Sequence, residues 1–179
     1  MKTYLQQYRP FLMFLGKFLL SYLILIVLYQ SYLSQFDASR FEVDGFTYIV
    51  ADHSGLILDV IGYTAVLSPY LGDASILVTI SGDPIVRIIE GCNAISIMIL
   101  FAAFIIAFSR KFVPTLAYIL VGILLIHLLN VLRIAFLCIG IIHYPEYEHF
   151  LHGVLFPLVI YGFVFVLWVV WVRKFKTNV

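Results

Sequence analysis

The sequence predicts an all-α polytopic membrane protein. Four transmembrane helices are expected, with an extracytoplasmic interfacial helix and a small β-hairpin. Composition and charge placement carry this reading. Of 179 residues, 63% are hydrophobic and 12% charged, with a mean hydropathy of +1.06. A soluble domain holds roughly 45–50% apolar and about 25% charged residues. The composition excludes a water-soluble globule, a disordered chain and a nucleic-acid binder. The net charge of +1 conceals a segregation. All 10 acids lie between Asp37 and Glu90 or at Glu146 and Glu148. Most of the 11 bases lie elsewhere, at Lys2, Arg9, Lys17, Arg110, Lys111, Arg173, Lys174 and Lys176. The positive-inside rule puts these in the cytoplasm. Arg40, Arg87 and Arg133 are then outside or within a span.

The chain reads as a single membrane domain over 1–179. Residues 11–33 form the first span, with Lys17 free to snorkel to the cytoplasmic headgroups. No small-residue cleavage site follows, so this span reads as an anchor and not a removable signal. Residues 34–90 hold most of the acids and turn residues and form the extracytoplasmic segment. Within it, 55–71 is apolar but carries Asp59 and Pro69. An inside N-terminus and an inside Arg110-Lys111 allow zero or two spans in 34–90, and no second span is available. Residues 55–71 are therefore expected as an amphipathic helix at the outer interface. The runs ASILVTI and IVRIIEG flank Ser81-Gly82-Asp83-Pro84, a β-hairpin signal. The second span is expected at 92–108 and the third at about 113–140. The nearly uncharged run 112–142 outlasts a ~30 Å hydrocarbon core at ~1.5 Å per residue. It is either one long tilted helix or a span that continues past the surface. The fourth span is 151–172, closed by Arg173-Lys174-Phe175-Lys176.

This layout brings three polar residues to the outer leaflet from three helices. Cys92 opens the second span, Arg133 lies in the outer half of the third, and His149 precedes the fourth. A thiol is a poor nucleophile until it loses its proton, and a cation or a helix N-terminus favours that loss. Histidine can protonate a leaving amine, and arginine stabilises a thiolate or an oxyanion. Together they suit acyl transfer through a thioester.

Each residue also has a plainer reading. A lone cysteine is commonly a small buried hydrophobe, and an arginine in the outer half can snorkel. A charge inside an apolar run is nonetheless a functional candidate by default. Asn130, one turn below Arg133, either orients the guanidinium or acts as interhelical glue. His127 lies deeper and reads as a bond to a neighbouring helix. His53 and His143 read as loop histidines. His152, one turn after His149, rivals it for the acid/base role. Glu146 and Glu148 read as a solvated loop face. Cys138 is rotated roughly 140° from Arg133 and reads as packing. No metal or cofactor is expected. Only His149 and His152 with Glu146 or Glu148 offer ligands, without specific spacing.

Glu90-Gly91-Cys92-Asn93-Ala94-Ile95-Ser96, then Asn130-x-x-Arg133-Ile134, then His149-x-x-x-Gly153 resemble the exosortase/archaeosortase family. The short chain looks like its exosortase F-type branch, over roughly residues 55–165. The resemblance implies a polytopic membrane cysteine protease/transpeptidase with Cys92 as nucleophile, Arg133 as electrostatic stabiliser and His149 as acid/base. Asn93, Ser96, Asn130 and His152 would support them. It also implies a substrate class: exported proteins with a C-terminal motif, a transmembrane helix and a basic cluster. The acceptor would be an amine or a lipid. The enzyme would sit in the cytoplasmic (inner) membrane, with both termini inside and the site outside. Many relatives have glycine where this chain has Ala94, and an aromatic where it has Val154. Two other classes fit the residues. One is a non-enzymatic scaffold subunit. The other is a thiol oxidoreductase pairing Cys92 with Cys138, against which their opposite faces speak.

Overall fold

The computed structural model describes residues 2–109 and 111–176. Arg110, one of the expected cytoplasmic bases, lies outside the described residues. The described residues form six α-helices: α1 (Lys2–Leu33), α2 (Gly45–Ile61), α3 (Ile95–Ala107), α4 (Phe112–His143), α5 (Glu148–Phe150) and α6 (Phe156–Lys176). Three strands, β1 (Ala65–Pro69), β2 (Ser75–Ile80) and β3 (Asp83–Ile89), fall between α2 and α3.

Four of the helices form an antiparallel bundle. Phe14 of α1 packs on Phe104 and Phe108, while Tyr29 reaches Glu90 and Asn93. α1 and α3 therefore run in opposite directions. Phe101 of α3 lies against Tyr118 and Gly122, and Cys92 against Asn130, so α4 reverses again. Trp168 of α6 stacks on Phe104, and Trp171 packs at a tilt on Tyr118. The shared core is Ala94, Met98, Phe101, Ile105, Ile126, Val164 and Trp171.

Among the described residues, three helices are long and apolar enough to cross a membrane: Tyr8–Leu33, Phe112–His143 and Pro145–Lys174. The segment expected as the second span yields a shorter apolar helix, α3, of 13 residues. At ~1.5 Å per residue it measures about 20 Å. Its ends are set locally. Asn93 accepts the Ile95 N–H at one end, and Ser109 breaks the run at the other.

The long run 112–142 is one unbroken helix of 32 residues, about 48 Å at the α-helical rise. Its length serves two cores. The first half packs into the bundle through Ile126. The second half carries Ile134, Ala135 and Cys138 into a separate core with Val50, Ala51, Leu58, Ile76, Val78 and Ile88. That second core joins α4 to α2 and the sheet.

The segment 55–71 departs from the expected single interfacial helix. Asp44 caps α2 ten residues earlier, accepting the Phe46 and Thr47 N–H groups. Gly62 ends the helix with φ 101°, a left-handed cap that glycine adopts without strain. Residues 65–69 then form β1, paired along its length with β2. One face of α2, with Val50, Ala51, Ser54 and Leu58, is buried against protein. The expected two-strand hairpin is thus a three-stranded antiparallel meander in the order β1-β2-β3. β2 and β3 are joined at Ser81 and Gly82, both left-handed, as a tight hairpin requires. His53 lies within α2 and not in a loop, and His143 is the last residue of α4.

Candidate active site

Cys92 is held by the turn that joins sheet to bundle. β3 ends at Ile89, a 3₁₀ turn covers Glu90–Cys92, and α3 begins three residues after the sulfur. The Cys92 thiol is free and half-buried. It lies three residues before the start of α3, whose first N–H, of Ile95, is taken by Asn93.

Asn130 of α4 fixes this turn from the side. It is fully buried, and its Nδ2 donates to the Cys92 carbonyl at 2.8 Å. Its Oδ1 accepts from Arg133 Nη1 at 3.3 Å. One side chain therefore ties the Cys92 backbone to the guanidinium one turn along α4. Arg133 Nε is buried and has no hydrogen-bond partner among the described residues. A buried donor left open in this way is costly unless a ligand or water meets it.

A second network holds the turn from below. Asn93 is 1% exposed, and its Nδ2 contacts Tyr29 Oη at 3.2 Å and Thr47 Oγ1 at 3.3 Å. Tyr29 donates to Glu90, and Thr47 donates to Asp44. The network joins α1, α2 and the 3₁₀ turn into one anchor. Asp44, Tyr29 and Thr47 were not predicted as site residues. The aspartate N-cap was the one readable signal, because capping is local. The tyrosine and threonine contacts are tertiary.

A cleft of about 740 Å³ opens beside the sulfur. Cys92 and Arg133 line it together with Glu148 and His152. β3 forms one wall and Ile134, Leu137 and Ile141 of α4 form the other. Tyr70, Asp73 and Arg87 stand in the remaining rim. Arg87 pairs with Asp73 at 2.6 Å and lies 5.0 Å from the centre of the Tyr70 ring.

The structure brings Cys92, Arg133 and His152 to this one cleft. His149, on the short α5, is exposed and is not one of the cleft's lining residues. His152 lies in a π-helical turn, Leu151–Leu155, where the Phe156 N–H bonds to the Leu151 carbonyl. Such turns change which side chains share a helix face. Glu148, expected on a solvated face, also lines the cleft. Ser96 is exposed in the first turn of α3. Cys138 is fully buried in the α2–sheet core. His127 contacts His53 of α2 at 2.9 Å, and His143 contacts Tyr63 at 2.7 Å. These histidines tie helix ends and faces together, and none of them lines the cleft. Among the described residues, no group of three or more metal-ligating side chains is present.

The transmembrane exosortase family model matches residues 10–172. Neither the curated proteins nor the solved structures contain a match to the chain.

Proposed function

The chain belongs to the transmembrane exosortase family, and from that premise we propose that it is a membrane cysteine protease/transpeptidase. Its substrates are exported proteins that carry a C-terminal motif, a transmembrane helix and a basic cluster. The F-type branch is the proposed subfamily. The observation that carries this reading is the shared cleft of Cys92, Arg133 and His152, with Asn130 bridging the first two.

The chemistry follows from these groups. An imidazole takes the Cys92 proton, and the thiolate attacks the scissile carbonyl carbon. A C–S bond forms, and the carbonyl electrons move onto oxygen. Arg133, with an unpartnered Nε, stabilises that oxyanion. The electrons return, the C–N bond breaks, and the imidazole hands its proton to the departing amine. An acceptor amine or water then resolves the thioester and restores the thiol. His152 is the imidazole that the cleft favours. His149, which the family motif favours, is one turn earlier.

In the membrane, α3 completes a four-span bundle with α1, α4 and α6. Both termini lie in the cytoplasm, and the cleft lies on the exported side of the inner membrane. The sheet, α2 and the outer half of α4 stand above the outer leaflet. The antiparallel packing of α3 against α1 and α4 supports this layout.

The test is processing of an exported protein with such a C-terminal signal in cells that express the full chain. The wild type is expected to remove the signal and to form a covalent adduct on Cys92. Cys92→Ala is expected to abolish both while the protein still accumulates in the membrane. Retained processing by Cys92→Ala would overturn the reading in favour of a scaffold. Full activity of Cys138→Ala is expected, and it would dispose of a disulfide-exchange role.

A further inference from the structure

Among the described residues, β3 is an edge strand, paired with β2 on one side and with no strand on the other. Successive residues of a strand point to opposite faces. A cleft lying on one face would therefore meet every second residue. The cleft beside Cys92 is lined by Pro84, Ile85, Val86, Arg87, Ile88 and Ile89 without a gap. A bulge in β3 at Ile85, opposite the Val78–Thr79 step, accounts for one break in the alternation and no more. The cleft runs along the open edge, where both faces and the backbone between them are within reach.

That edge is unsatisfied. Among the described residues, no hydrogen bond outside the β2–β3 ladder ends on the backbone of 84–88, and Ile89 caps the 3₁₀ turn. Apart from Arg133 near the sulfur, the facing α4 wall offers Ile134, Leu137 and Ile141, which have no side-chain donor or acceptor. Exposed edges of this kind are templates for another strand, and peptides are commonly recognised in this way.

We propose that the polypeptide substrate binds as an extended, β-branched or apolar segment added to the free edge of β3, between the strand and α4. The proposal rests on the reading of Cys92 as nucleophile. Continuity with the sulfur is its main support. Cys92 follows Ile89 after only one 3₁₀ turn. Pairing along the edge therefore sets which peptide bond arrives at the thiol. Arg133, with its open Nε, meets the carbonyl delivered there. Pro84 lacks an N–H and marks the far limit of pairing. Between Pro84 and the turn, residues 85–89 offer about 16 Å of edge at ~3.3 Å per residue. The Asp73 ion pair and the Tyr70 ring hold the Arg87 guanidinium to the rim.

The experiment uses the full chain with Cys92→Ala in lipid nanodiscs. The probe is a fluorescein-labelled, end-capped hexapeptide of alternating Val and Thr, read by fluorescence anisotropy. Two analogues are N-methylated, each on one alternate set of amides. Methylating the set that faces β3 is expected to weaken binding about tenfold or more, the loss of several net hydrogen bonds. Methylating the other set is expected to change it by less than about twofold, because those amides make no bond to β3. Equal effects of the two analogues, or no saturable binding of the parent, would overturn the proposal. Disulfide-linked dimers of an Ile85→Cys chain would assign the edge to a second copy and would also overturn it. Docking is read here without a nucleophile. A failed peptide pattern therefore leaves the Cys92 reading intact, whereas processing by Cys92→Ala sinks that reading and leaves the peptide data standing.

Discussion

At Ala94 the backbone turns left-handed, with φ 65°, in the two-residue link between Cys92 and α3. A side chain there costs roughly 1–2 kcal/mol that glycine avoids. Ala94→Gly is therefore expected to raise the thermal midpoint in detergent by roughly 2–8 °C. An unchanged or lower midpoint would show that the strain is relieved elsewhere. Asn130 acts through others, gripping the Cys92 carbonyl and the Arg133 guanidinium. Asn130→Ala is expected to lower kcat by about 100-fold with KM little changed, as misplacement of reacting groups does. The imidazoles give a third test. His152→Ala should reduce processing by about 10²–10⁴-fold, the usual worth of a general acid, while His149→Ala should leave most of it. The reverse order would return the acid/base role to His149. Cys92, Asn130 and Arg133 were legible as candidates because polar groups in an apolar run stand out. The partners Tyr29 and Thr47 were not, because nothing local marks a helix face that will meet Asn93.

At the scale of elements, the close approach of α3 and α4 depends on Gly122. A Cβ placed there would lie 2.2 Å from the Phe101 ring. Small residues at helix crossings permit such packing in membranes. Gly122→Leu is expected to destabilise the bundle by about 1–3 kcal/mol, the usual cost of overpacking, measured by denaturant titration in detergent. A neutral effect would mean that the helices separate easily. The strands β2 and β3 were readable from β-branched runs around a Gly-Asp-Pro turn. β1 was not, because Ala65-Val66-Leu67 alone suits either a strand or an apolar helix. Gly62 was the cue that separates it from α2. The length of α4 was legible, but its division between two cores was not.

For the whole molecule, the charge bias makes a topological prediction. A reporter inserted near Asp44 or Glu148 should label from outside, and one near Lys111 from inside. The opposite labelling would put the cleft on the wrong side of the membrane for an exported substrate. The same experiment tests α3 as a crossing. If α3 does not span, Lys111 and Asp44 report the same side. On the proposed four-span layout, the N-terminal end of α3 stops at the buried Asn93 network.

Hydropathy and charge bias are sums over local windows. The sequence by itself therefore determined the membrane character, the long apolar helices and the residues chemically able to react. Which groups meet is not additive in that way. The tertiary structure decided that Asn130 bridges Cys92 and Arg133, that β3 leaves an open edge along the cleft, and that His152 faces it. The last point turns on one π-helical turn. A single altered hydrogen-bond step rotates every side chain on one side of it relative to the other, and no periodicity in the sequence announces where that step falls.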